Sequence, residues 1–266
     1  MNKKDLLYVI KPEQQNEKDL KDLLAEHSEI KFVSLMGIDF AGNDTDEKIP
    51  VKAFLEDMDA FLYGSAAQTD GSSVVLTGIA TLNDARVDMK ADRDVNWFVD
   101  YNYEHFDEET GRMVGTLRIP CFLVHNNEMV CSRSILKNTM DYVEAELLAL
   151  FKENPKIAGL EHIDVNEIKK IVFTNATELE FWVKTPRENA SIEALSSSQV
   201  MQEQYWARTR GNVRTALEEV IDVLDMYGLE PEMGHKECGG VKGQIDASGH
   251  MTHVNEQLEV DWKFAG

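Results

Sequence analysis

The chain has 266 residues, 43% of them hydrophobic, enough for one large domain or two smaller ones with real cores. Its 48 acidic and 27 basic residues give a net charge of −21, a field that repels nucleic acid and anionic membranes and excludes both as expected partners. Cys121, Cys131 and Cys238 are too few, and lack the CxxC spacing, for a disulfide framework or a zinc cluster. No stretch approaches the roughly twenty apolar residues of a membrane span, and the first apolar run is too short for a secretory leader. A soluble protein of a reducing cytoplasm is the expectation.

In chain order, Leu20, Leu23 and Leu24 predict a surface helix over Glu17 to His27, and Ile30 to Asp39 reads as a buried strand. Pro50 opens a helix predicted from Val51 to Tyr63, with Phe54, Leu55, Met58 and Phe61 inward and Gly64 beyond its end. A polar, tight stretch from Gln68 to Ser73 follows, where Asp70-Gly71 is a common turn pair. Arg86 to Met89, Asn96 to Tyr101 and Gly115 to His125 read as strands. Ser132 to Asn154 predicts a long amphipathic helix capped by Ser132 or Ser134, its stripe of Ile135, Met140, Val143, Leu147 and Phe151 expected to pack.

The second half is organised around Phe173 to Lys184, where two glutamates lie one residue apart. Side chains alternate along a strand, so Glu178 and Glu180 share one face while Leu179, Phe181 and Val183 take the other. Like charges this close raise each other's pKa unless a cation or donor lies between them, and a hard divalent ion with oxygen ligands is the simplest remedy. The plainer alternative is a one-sided strand with its polar face in water. A helix is expected from about Met201 to Tyr227, stopped by Gly228. Beyond it come Gly234-His235-Lys236-Glu237 and a second alternating run, Glu259-Val260-Asp261-Trp262, that also presents acids on one face. If the two runs lie side by side, Glu180 and Glu259 can face one cavity, and three converging glutamates would hold an ion firmly. No GxxxxGK[ST] occurs, which argues against a P-loop nucleotidase. His235 reads as a packed or surface histidine, and Arg133, Arg208, Arg210 and Arg214 as solvated helix-face charge.

These segments resemble the glutamine synthetase family. Ala176-Thr-Glu-Leu-Glu-Phe-Trp-Val183 is similar to its GxExEFFLF strand, Gly228-Leu-Glu-Pro-Glu-Met-Gly-His-Lys-Glu237 to its His-x-Glu segment, and Glu256-Gln-Leu-Glu259 to its GQxE strand. Upstream, KFVSLMGIDFAGN, IPVKAFLEDMD, TDGSS and the start of the Ser132 helix resemble the family's small N-terminal domain and the entry to its catalytic domain. The resemblance implies an α+β architecture: a β-grasp-like domain over 1–127, then, over 128–266, the first part of a catalytic α/β domain with antiparallel strands and long helices.

It further implies that Glu180, Glu237 and Glu259 hold the Mg²⁺ or Mn²⁺ on the substrate side and that Glu178 is a ligand on the ATP side. Asp70 and Ser73 would lie on a loop that reaches a neighbouring subunit's active site, where Asp70 helps to bind and deprotonate ammonium. The implied activity is an ATP-dependent glutamate–ammonia ligase acting through γ-glutamyl phosphate, with ATP, glutamate and ammonia as partners and a homo-oligomeric assembly. Alternatives are a ligase of the same fold using another amine, or a catalytically silent assembly or regulatory chain. Three departures stand out. The link from Cys238 to Asn255 is longer than in the family, Glu256 stands where the family has glycine, and the resemblance ends at Gly266, before the family's second half. The chain alone is therefore expected to be inactive as a synthetase.

Overall fold

A computed structural model describes residues 5–64, 67–70, 73–78, 86–156, 159, 161–184, 206, 208–209, 211–245, 247–248 and 251–264. The chain divides into two compact units, Met1–Ile171 and Val172–Gly266.

The first unit is built on one mixed sheet. Its spine is β7 (Met113–His125), buried along nearly its whole length. β2 (Ile30–Gly37) runs parallel to it on one side, and on the other β6 (Trp97–Phe106) pairs antiparallel with the first half of β7 and β5 (Arg86–Ala91) with the second. Pro120 falls between the last β6 partner, Arg118, and the first β5 partner, Cys121, the one place along a central strand where a missing N–H costs least. Shorter strands complete the sheet: β1 (Val9–Ile10), β3 (Ile49–Pro50), β4 (Ala67–Asp70) and β8 (Glu128–Met129). Leu35, Val87, Val99, Leu117, Ile119 and Leu123 are buried in its core.

Helix α1 (Glu17–Glu26) buries Leu20 and Leu24 as its leucine spacing predicts, and Asn16 caps it by accepting the Asp19 N–H at 3.0 Å. The helix expected over 51–63 is two helices, α2 (Val51–Glu56) and α3 (Met58–Tyr63), because Asp57 leaves the helical region at φ −131°, ψ 40°. Phe54, Met58 and Leu62 all remain buried across the break. Helix α4 (Ser132–Glu153) has Cys131, not a serine, at its cap, and the Ser134 hydroxyl donates back to the Cys131 carbonyl at 2.8 Å. Its expected packing stripe is covered only in part: Ile135 and Met140 are exposed, at 44% and 39%, while Val143, Leu147 and Phe151 are half-buried.

The second unit is an antiparallel sheet of three strands with one helix against it. The strand order is β10 (Pro231–Ile245), β11 (Met251–Trp262), β9 (Glu178–Lys184). Helix α5 (Gly211–Met226) lays Val213 and Leu217 on Leu258 and Val260, with Phe181, Val183, Ile221 and Leu224 around them. The helix expected from about Met201 is described from Gly211. Residues 201–205, 207 and 210 lie outside the described residues, and Trp206 is held in a turn at φ 61°, its N–H donating to the Lys236 carbonyl at 3.1 Å. Gly228 ends α5 at φ 67°, and Leu229 donates to the Leu224 carbonyl at 3.1 Å, closing the last turn in the manner of a Schellman motif. The long Cys238–Asn255 link belongs largely to the two arms of the β10–β11 hairpin.

Leu258 is fully buried at the centre of this small core, so Leu258→Ala should lower the unit's stability by about 2–5 kcal/mol. Urea unfolding followed by tryptophan fluorescence measures it, and a loss under about 1 kcal/mol would place the core elsewhere.

Candidate metal centre

Register decides which acids meet. Across the three strands Glu180 lies opposite Glu259, and Glu259 lies opposite His235; in the next rank Glu178 faces Asp261. Directly opposed residues share a face, so these side chains stand together on the face turned away from α5. The other face carries Leu179, Phe181, Leu258, Val260 and Gly234, where an added Cβ would sit 2.8 Å from Ile221 and 3.0 Å from Leu217. The helix therefore covers one side of the sheet closely, and the acids line the opposite side.

Glu237 follows one strand period after His235, at the edge of a bulge where pairing jumps from Lys236–Leu258 to Val241–Glu256. Its carboxyl makes a hydrogen bond with that of Glu259. This contact, together with burial and the charges of Asp261, Glu237 and Glu178, pushes the Glu259 carboxyl up to about 8 from 4.5. Glu259 is only 4% exposed, whereas Glu178 and Glu180 are exposed, and Glu180 accepts a hydrogen bond from the Gln257 amide.

The resemblance assigns Glu259 to the ion and leaves Glu256 where the family has glycine, and the two stand apart in the structure. Glu256 shares the helix-side rank with Val183, is 1% exposed, and pairs with the buried Lys236 ammonium at 3.3 Å. Glu259 stands among the acids.

Two further residues join the cluster that sequence reasoning did not count among the ligands. His235 Nε2 lies 3.0 Å from Asp261 Oδ2 and 3.7 Å from Glu259 Oε2. Its Nδ1 is 3.0 Å from the Lys236 carbonyl, which can only accept, so Nδ1 carries the hydrogen. The potential ligand atoms of His235, Glu259 and Asp261 all fall within 4.8 Å of one another. Spacing was the available signal, since His235 precedes Glu237 by two residues and Asp261 follows Glu259 by two. Beside His235 a cavity of about 560 Å³, with Trp206, Arg208, Arg214 and Lys236 in its walls, has room for an amino-acid-sized ligand.

Asp70 and Ser73 belong to the first unit. Asp70 ends β4 opposite Arg86, and Ser73 is exposed in the turn beyond it. The chain just after Ser73 is tied down by Asp39, whose carboxylate accepts from the Val75, Ala41 and Asn43 backbone N–H groups, each at 2.9 Å. Arg133 is paired with Asp92 at 2.6 Å and Arg214 with Glu218 at 2.6 Å; Arg210 lies outside the described residues. No helix among the described residues is long and apolar enough to cross a membrane.

The raised Glu259 carboxyl gives a pH dependence. In the native protein it keeps its proton up to about pH 8, in the unfolded chain only to its ordinary value of 4.5. The native state thus binds the extra proton between these values, so its contribution to stability is complete below about 4.5 and is lost as pH rises through about 8. Glu259→Gln, neutral throughout, should flatten the fall in stability seen by urea unfolding in cation-free buffer across that window; an unchanged slope would mean Glu259 is not the group responsible.

No protein-family model matches the sequence, and no curated protein matches it as a relative. Solved structures do match in fold. A structure described as apo GmaS without ligand aligns over 91% of this chain and 44% of its own at 15% identity, with a TM-score of 0.50. Plasmodium falciparum glutamine synthetase aligns over 94% of this chain and 44% of its own at 13% identity, with a TM-score of 0.49. A crystal structure described as a novel glutamine synthase homolog gives 14% identity over 89% and 44%, with a TM-score of 0.46. The chain thus spans less than half the length of each. At this identity the likeness speaks for architecture alone: the chain has a partial glutamine synthetase-like fold, with mixed and antiparallel sheets and a few helices.

Proposed function

We propose that this chain is a cation-binding portion of an ATP-dependent ligase of the glutamine synthetase type, with glutamate–ammonia ligation as the reaction of the complete fold. The observation that carries this reading is the gathering of Glu180, Glu237 and Glu259 from three strands onto one sheet face, opposite the helix. The donor set fits a divalent ion: one buried carboxyl is forced to keep its proton by acids around it, and a cation in their midst would replace that proton. Glu180, Glu237 and Glu259 would hold Mg²⁺ or Mn²⁺ on the substrate side, and the more exposed Glu178 would contribute to a second ion on the ATP side.

When bound, such ions neutralise charge that builds on the phosphoryl group passing from ATP to the glutamate γ-carboxylate. The residues of the chain set the conditions for this. Gln257 orients Glu180 through its amide, and Phe181, Leu258 and Val260 press the strands against α5, fixing the spacing of the acids above. Asp70 and Ser73 would lie at an active site shared with a neighbouring copy in a homo-oligomer, with Asp70 binding ammonium and taking its proton. In this reading residues 1–127 form the β-grasp-like domain and 128–266 open the catalytic domain. In this reading the chain alone binds the cation without turning over, as a portion of the fold that aligns with 44% of the apo GmaS structure.

Calorimetric titration of Mn²⁺ into the full chain tests the assignment. Glu237→Gln and Glu180→Gln should each weaken binding about tenfold or more. Unchanged affinity in both variants would remove these residues from the centre, and ATP-dependent glutamine formation by this chain alone would contradict the partial-site reading.

A further inference from the structure

The glutamates are not the whole donor set on this face. Three features of His235 are those of a ligating imidazole. Its Nδ1 donates to the Lys236 carbonyl at 3.0 Å, which fixes the tautomer and the ring's orientation and turns Nε2 toward the acids. Its ring lies 5.5 Å from that of Trp206, whose backbone N–H also donates to the Lys236 carbonyl, so one carbonyl at the bulge ties both residues together. Finally, Nε2 faces Asp261 Oδ2 at 3.0 Å and Glu259 Oε2 at 3.7 Å, inside the same ring of acids, and both His235 and Glu259 are buried.

We propose that His235 supplies a nitrogen ligand, and Asp261 a further carboxylate, to the cation held by Glu259, making this a mixed nitrogen–oxygen centre that favours transition-metal ions over Mg²⁺. The inference rests on the cation-binding reading above and deepens it. The chemistry follows from the ligand types. Mg²⁺ requires near-octahedral oxygen ligands and gives up water reluctantly, whereas imidazole suits first-row transition ions. An all-carboxylate set discriminates weakly between Mg²⁺ and Mn²⁺; one well-oriented imidazole shifts the balance toward Mn²⁺. His235 and Asp261 thereby become specificity-determining residues. The buried His235 and Glu259 with the half-buried Asp261 form the inner part of the centre, and the exposed Glu178 and Glu180 form its rim.

Pulsed electron paramagnetic resonance of Mn²⁺ bound to the full chain reads this directly, because a coordinated imidazole nitrogen imposes a ¹⁴N modulation that carboxylates and water do not. The wild-type complex should show that modulation, and it should change on ¹⁵N-histidine labelling, a measurement that needs no variant to fold. In His235→Gln the modulation should vanish. Competition titrations should then show the preference for Mn²⁺ over Mg²⁺ reduced about tenfold in His235→Gln and by a smaller factor in Asp261→Asn. Mn²⁺ that binds without nitrogen modulation, or with modulation unaltered in His235→Gln, overturns the proposal while leaving a carboxylate centre standing. Absence of Mn²⁺ binding overturns this proposal together with the reading on which it rests.

Discussion

Repulsion among carboxylates gathered on one face of a three-stranded sheet is the constraint around which the second unit is arranged. Glu178, Glu180, Glu237, Glu259 and Asp261 would each be more stable apart, yet the register of β9 and β11 holds Glu180 with Glu259 and Glu178 with Asp261 in two adjacent ranks, and the β10 bulge leaves Glu237 hydrogen-bonded to Glu259. The raised Glu259 carboxyl is the local measure of that conflict. What holds the ranks together is the opposite face, where Val213 and Leu217 of α5 cover Leu258 and Val260 and where Gly234 admits the helix closely. The site is thus a cost carried by a small apolar core, a pattern found where function and local stability compete.

The same sheet shows why two neighbouring glutamates have opposite fates. Glu256 and Glu259 are three residues apart, so they emerge on opposite faces. Glu256 meets the buried ammonium of Lys236 and forms an ion pair beneath the sheet; Glu259 stands among Glu237, Asp261, Glu178 and His235. A buried carboxylate with a cation beside it is a structural element, whereas a buried carboxyl among acids is poised to exchange its proton for a metal ion.

Much of this was legible in the residues. Alternation in Glu178–Lys184 and Glu259–Trp262 placed the acids on one face, and the leucine spacing placed Leu20 and Leu24 of α1 in the core. What was not legible depended on partners far along the chain. The break at Asp57 leaves no mark in a helical pattern that stays in phase across it. The partly covered stripe on α4 reads from sequence as any amphipathic helix reads, because periodicity reports that a helix has an apolar face and says nothing of what lies against it. His235 reads from sequence as an ordinary packed histidine, since its place among the acids is set by Asp261, 26 residues away, and by a carbonyl that the β10 bulge leaves within reach of the ring.

The central claim is that acids from three strands surround a single divalent cation. Anomalous diffraction from a crystal of the full chain grown with Mn²⁺ tests it most directly. The account predicts one strong peak within coordination distance of Glu259 and Glu237 on the sheet face opposite α5. A peak found elsewhere, or Mn²⁺ scattered among the many surface carboxylates with none at Glu259, would contradict it.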